Sequence, residues 1–271
     1  MNDVVYAFLL STIAGLSTGI GSCIAFFVKQ TNKQFLSISL GFSAGVMIYV
    51  SMIEIFVKAQ ESLISELGKQ KGSLFTVVAF FAGIFVIAII DKIIPSKENP
   101  HEIKTINYKT ELIQEQSSKD KKRLLRTGVF IALAIGIHNF PEGLATFVVA
   151  LQNPTIAIPI VIAIAIHNIP EGIAVSVPIY YATGSKKKAF IYSFLSGLSE
   201  PIGAIVGWLV LMPIMNEIVF GMVFASVAGI MVFISLDELL PAAREYGEHH
   251  LSIYGLIAGM MVMAISLLLF I

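Results

Sequence analysis

The chain has 271 residues, 56% of them hydrophobic and 13% charged, with a mean hydropathy of +0.84 and no formal net charge. That balance excludes an ordinary soluble domain and offers no footing for nucleic-acid binding. The single Cys23 excludes an internal disulfide and a thiolate cluster, so any bound metal would rely on nitrogen and oxygen donors.

Apolar stretches of roughly 20 residues, each long enough to cross the hydrocarbon core, recur along the chain. They predict eight transmembrane helices at 4–28, 35–57, 73–94, 126–150, 155–180, 188–212, 217–240 and 251–271. The expected fold class is therefore all-α integral membrane, a single transmembrane domain over 1–271 in the cytoplasmic membrane. The first run follows Asp3 without a basic cluster and is too long for a signal-peptide core, so it is expected to stay as a span.

Of the 18 basic residues, Lys29, Lys33, the run from Lys92 to Arg126, Lys186 to Lys188 and Arg244 fall on one side, against Lys58, Lys69 and Lys71 on the other. The positive-inside rule places the first group in the cytoplasm and both termini outside. The loop at 95–125 is polar, of mixed charge and without apolar periodicity, and reads as a flexible cytoplasmic linker. Its one histidine, His101, is too few for a metal-sensing tract. His249 and His250 read as part of a solvated loop, and the scattered methionines as packing.

Two phrases carry the chemistry: His138-Asn139-Phe140-Pro141-Glu142-Gly143 in the fourth span and His167-Asn168-Ile169-Pro170-Glu171-Gly172 in the fifth. Each histidine lies about 18 Å into a core of about 30 Å, near the midplane. Ionisable groups at that depth are costly and need an occupant that offsets the cost. One buried histidine could be hydrogen-bonded filler, but two identical phrases at one depth point to a divalent ion.

Residues i and i+4 share a helix face, with i+3 adjacent. If the two faces oppose each other, His138, Glu142, His167 and Glu171 can converge on one ion, while Asn139, Asn168 and the shared carboxylates hold a second. Imidazole with carboxylate suits zinc, iron(II), manganese or cobalt. Pro141 and Pro170 free the carbonyls of Ile137 and Ile166, which predicts kinks beside a wet pathway. Glu200, next to Pro201 in the sixth span, is a further partner for the second position, with a packing hydrogen bond as the plain alternative. Glu54, toward the outer end of the second span, and Asp237 with Glu238, toward the inner end of the seventh, are candidate pathway residues; an interfacial position and a helix end before Pro241 are their plain alternatives.

A matching motif on two antiparallel helices, with three spans before and three after, suggests a 3+2+3 inverted relationship about an axis in the membrane plane. An intramembrane zinc hydrolase and a metal sensor are the competing classes. The hydrolase is disfavoured because the His-Glu-x-x-His pattern is absent.

At His138 to Gly143, His167 to Gly172 and Glu200-Pro201 the sequence resembles the ZIP (Zrt/Irt-like) family of divalent-metal transporters, in particular its bacterial ZupT-like branch. The resemblance covers essentially all eight spans. It implies a binuclear metal centre, with His138, Glu142, His167 and Glu171 around one ion and Asn139, Glu142, Asn168, Glu171 and Glu200 around the other. It also implies import toward the cytoplasm by alternating access, no resident cofactor, zinc and also iron(II), manganese, cobalt or cadmium as cargo, and a homodimer.

Overall fold

The computed structural model describes residues 3–27, 32–93, 113–152, 154–211, 216–245 and 249–268. Side chains at a few helical positions within these ranges, His167 among them, lie outside the described residues, as do 94–112 of the predicted linker and Asn153 of the turn between the fourth and fifth spans.

Every described element is helical: α1 (Asp3–Ala25), α2 (Lys33–Val50), α3 (Phe56–Leu67), α4 (Lys69–Ile93), α5 (Ile113–Gln152), α6 (Pro154–Thr183), α7 (Lys186–Gly197), α8 (Ser199–Val206), α9 (Glu217–Ile234), α10 (Leu240–Glu245) and α11 (His249–Leu268). Three five-residue π-helical segments extend these: Ser51–Ile55 joins α2 to α3, Gly207–Leu211 follows α8, and Ser235–Leu239 joins α9 to α10. Seven stretches of the described residues are long and apolar enough to cross a membrane, and α6, at 30 residues, is an eighth long apolar helix. The protein is an all-α integral membrane protein.

The helix ends follow from local chemistry. Asn32, Ser185 and Asn216 accept the first free backbone N–H groups of α2, α7 and α9. Gly68 and Gly184 stop α3 and α6 at φ of 76° and 68°, which side-chain-bearing residues rarely adopt. The second span is longer than the sequence predicted, because the π segment carries the helix on to Leu67 through polar turns. α5 begins at Ile113, inside the predicted linker. The predicted kinks at Pro141 and Pro170 do not interrupt α5 or α6; one lost N–H is tolerated where neighbouring helices hold the backbone. The break falls in the sixth span, at Leu198, so that Pro201 sits in the first turn of α8 where its missing N–H is harmless.

Packing sorts the helices into two groups. α1 lies against α5, α6, α7 and α8; α2 lies against α11, and α4 against α3 and α9. Glycines set the close crossings within each group. A Cβ on Gly21 or Gly172 would collide across the α1–α6 crossing, on Gly143 or Gly203 across α5–α8, on Gly45 or Gly259 across α2–α11, and on Gly83 or Gly229 across α4–α9. The groups meet where α2 and α11 pack on α6 and α9 on α5, through apolar side chains such as Leu40, Met47, Ile131, Ile173 and Ile230. Hydrogen bonds also cross there, among them Ser43 Oγ donating to the Pro170 carbonyl at 2.6 Å and Tyr181 OH to the Asn32 carbonyl at 2.5 Å.

Candidate metal centre

The two phrases sit on antiparallel neighbours α5 and α6, flanked by α1 and α8. Their side chains are removed from solvent: His138, Asn139, Asn168, Glu171 and Glu200 are fully buried and Glu142 is 7% exposed. The helical register puts His138 and Glu142 on one face of α5, and Asn168 and Glu171 on the facing side of α6.

Two polar pairs bridge the helices. His138 Nε2 lies 2.8 Å from Glu171 Oε1, and the Asn168 amide donates both to Glu200 Oε1 and, at 3.0 Å, to the Ala14 carbonyl of α1. One terminal atom of the Asn139 amide lies 2.8 Å from His138 Nε2, 3.2 Å from Glu171 Oε2 and 3.1 Å from the Ile135 carbonyl. As nitrogen it donates to that group. As oxygen it is a third lone pair aimed where His138 and Glu171 already point, an arrangement a divalent cation satisfies, and the nitrogen then donates to the Ser196 carbonyl at 3.4 Å. On the α8 side, Asn168 Oδ1 and Glu200 Oε2 are buried without a hydrogen-bond partner.

Glu142 and Glu171 lie close enough to Glu200 to act on it electrostatically, so three carboxyl groups share a buried space with one described imidazole. Ionising such a cluster without a cation is strongly unfavourable. Among the described residues no three His, Cys, Asp or Glu side chains close into a finished cage. The pairs are present as separate nuclei, and the side chain of His167 lies outside the described residues.

The remaining sequence candidates lie on other elements. Glu54 is in the Ser51–Ile55 π segment, well inside its 35-residue helix rather than at the outer end, and pairs with Lys58 at the surface. Glu238 is buried and Asp237 partly buried in the Ser235–Leu239 segment. The two π segments match: each follows an 18-residue helix, begins with a serine bonded to a methionine carbonyl one turn back, and has glutamate fourth. π segments interrupt a helix at a cost and gather at functional positions. Motif reading missed the α1 backbone at Ala14, which holds Asn168, and the Ser11 and Ser193 hydroxyls, which donate to the Gly143 and Gly172 carbonyls at 3.4 and 3.3 Å.

A family model described as ZIP Zinc transporter matches residues 91–267. The zinc transporter ZupT of Streptococcus mutans is 71% identical over 265 residues, covering 98% of this chain and 97% of its own length. The chain belongs to the ZIP family. Proteins of the same name from Clostridium perfringens and Chlorobaculum parvum are each 65% identical, over 100% and 99% of this chain and 98% and 99% of their own lengths. As a ZIP protein the chain is a transporter rather than an enzyme, a multi-pass protein of the cell membrane, with divalent metal ions as its transported substrates.

Proposed function

We propose that this chain imports zinc across the cell membrane through a centre formed by His138, Asn139, Glu142, His167, Asn168, Glu171 and Glu200. The observation that carries the reading is that the two repeated phrases and Glu200 meet in a buried space, His138 against Glu171 and Asn168 against Glu200. Zinc is the cargo named for the ZupT relatives, which match the chain over nearly its full length. Nitrogen and oxygen donors without thiolate also suit iron(II), manganese, cobalt and cadmium as weaker cargo.

The ion exchanges most of its water for imidazole nitrogen and carboxylate oxygen, and its charge offsets the repulsion among Glu142, Glu171 and Glu200. The shared carboxylates of Glu142 and Glu171 bridge two ion positions, one on the histidine side and one on the Asn168–Glu200 side. Release toward the cytoplasm follows when the group built from α1, α5, α6, α7 and α8 shifts against the group built from α2, α3, α4, α9, α10 and α11. The packing favours this division, because the glycine crossings lock each group internally while the contact between them is largely an apolar surface.

Protons and zinc compete for the same imidazole and carboxylates, so uptake falls on acidification. The initial rate of zinc influx into proteoliposomes, measured from neutral to mildly acidic pH, tests this. A falling rate is the expected result, and a rising one contradicts the cage. Competing zinc with iron(II), manganese, cobalt and cadmium in the same vesicles ranks the cargo.

A further inference from the structure

α1 and the sixth span carry one phrase twice, Gly15-Leu16-Ser17-Thr18-Gly19-Ile20-Gly21 and Gly197-Leu198-Ser199-Glu200-Pro201-Ile202-Gly203. The two copies make the same contacts, with α6 taking the place of α5. Gly172 is pressed against the Thr18 carbonyl as Gly143 is against that of Glu200, and Gly21 against the Ile169 carbonyl as Gly203 is against that of Phe140. Ser193 Oγ donates to the Gly172 carbonyl as Ser11 Oγ does to that of Gly143. The Asn168 amide reaches the Ala14 carbonyl, and the Asn139 amide, with its oxygen turned toward His138, reaches the matching carbonyl of Ser196.

Side-chain direction obeys the same exchange. Glu200 Cβ lies 3.2 Å from where a Cβ on Gly15 would be, and Thr18 Cβ lies 2.9 Å from where one on Gly197 would be. The exchange therefore carries Glu200 onto Thr18 and Asn168 onto Asn139, so that a hydroxyl on α1 takes the place that a carboxylate holds on α8; Thr18 Oγ1 itself lies 3.0 Å from where a Cβ on Gly197 would be. A helical threonine ordinarily satisfies its hydroxyl on a carbonyl one turn back. Thr12, Thr76, Thr146 and Thr183 do so here. The Thr18 hydroxyl does not: it is fully buried and its Oγ1 has no hydrogen-bond partner.

We infer that Thr18 is a further substrate-contacting residue, its hydroxyl supplying a neutral oxygen to the metal on the Asn139 side as Glu200 supplies a charged one on the Asn168 side. The inference rests on reading the His138–Glu171 and Asn168–Glu200 space as the cargo site. It makes the two sides unequal in their hold on a divalent ion, because only one of them adds charge.

Thr18→Val keeps the shape and removes the oxygen, while Thr18→Ser keeps the oxygen. Zinc influx into proteoliposomes, measured against zinc concentration, is expected to show an apparent KM raised about tenfold in Thr18→Val, the effect of losing one polar contact to a charged group. Thr18→Ser should stay within about twofold of wild type, a rescue that packing alone does not give. Should Thr18→Val fail to fold, Thr18→Ala, which also lacks the oxygen and is smaller, takes its place. A wild-type KM without the hydroxyl, or a Ser variant as impaired as Val, overturns the assignment. Glu171→Ala in the same preparation separates the two readings. If it is inactive while Thr18→Val is normal, only the role of Thr18 falls; if it carries zinc like wild type, the cargo site and Thr18 fall together.

Discussion

The two helix groups are built by the same packing device and loaded with different chemistry. α2 against α11 and α4 against α9 are drawn together by Gly45, Gly259, Gly83 and Gly229, as α1 against α6 and α5 against α8 are by Gly21, Gly172, Gly143 and Gly203. Only the second group buries His138, Asn139, Glu142, Asn168, Glu171 and Glu200 together; the first carries its candidate pathway carboxylates, Glu54, Asp237 and Glu238, in two π segments. Small residues let backbones approach without any driving force from water, so they set shape alone. In the proposed reading, function comes from the costly polar groups that one of the two frameworks holds.

That contrast can be broken most severely at the polar core. Glu171→Ala removes a carboxylate from the centre and leaves His138 without the partner at 2.8 Å. Zinc influx in proteoliposomes is expected to fall by about a hundredfold or more, the scale of losing a buried charged ligand, while Glu54→Gln in the other group should cost far less. Equal losses would show that the polar load is not confined to one group.

The glycines supply the next largest effect, and here the groups should behave alike. Gly172→Ala meets the Thr18 carbonyl and Gly45→Ala that of Leu256, so each should destabilise by about 1–3 kcal/mol, as overpacking does. Gly136, whose added Cβ would find its nearest neighbours at 4.0 Å, is the control. Gly136→Ala should leave the melting temperature unchanged or raise it, since alanine favours a helix by about 0.5–1 kcal/mol. Thermal unfolding in detergent reads all three.

Between the groups the contacts are expected to matter less. Ser43→Ala removes the hydrogen bond to the Pro170 carbonyl, whose net worth is about 1 kcal/mol. It should change the influx rate by about fivefold or less with little change in melting temperature. Lys58→Ala breaks a surface pair with Glu54, for which about 0–1 kcal/mol is ordinary, and influx should stay within about twofold of wild type.

Much of this was legible in the sequence. Eight apolar runs gave the helical membrane fold, because a hydrocarbon core demands length and apolarity and little else. The two His-Asn-x-Pro-Glu-Gly phrases placed His138 with Glu142 and Asn168 with Glu171 on helix faces that turn toward each other, because helical spacing fixes which side chains share a face. Residue order did not reveal that α1 joins α5 to α8 while α2 to α4 join α9 to α11, since that grouping depends on which glycine faces which carbonyl across a long loop. α5 and α6 run on past Pro141 and Pro170, because neighbouring helices can hold the backbone where a proline frees a carbonyl. Thr18 was silent in isolation, a single threonine in an apolar span, and becomes informative only when its copy of the Gly-Leu-Ser-x-x-Ile-Gly phrase is laid on the one holding Glu200.

The central claim is that zinc crosses through the carboxylates shared between the two phrases. Zinc influx into proteoliposomes of wild type and Glu142→Gln, which keeps the shape and removes the charge, tests it most directly, with melting temperature confirming that both are folded. Influx by wild type and its loss in the variant is the predicted result; equal influx in the two would contradict the assignment of Glu142, and zinc binding by wild type without influx would contradict transport through this centre.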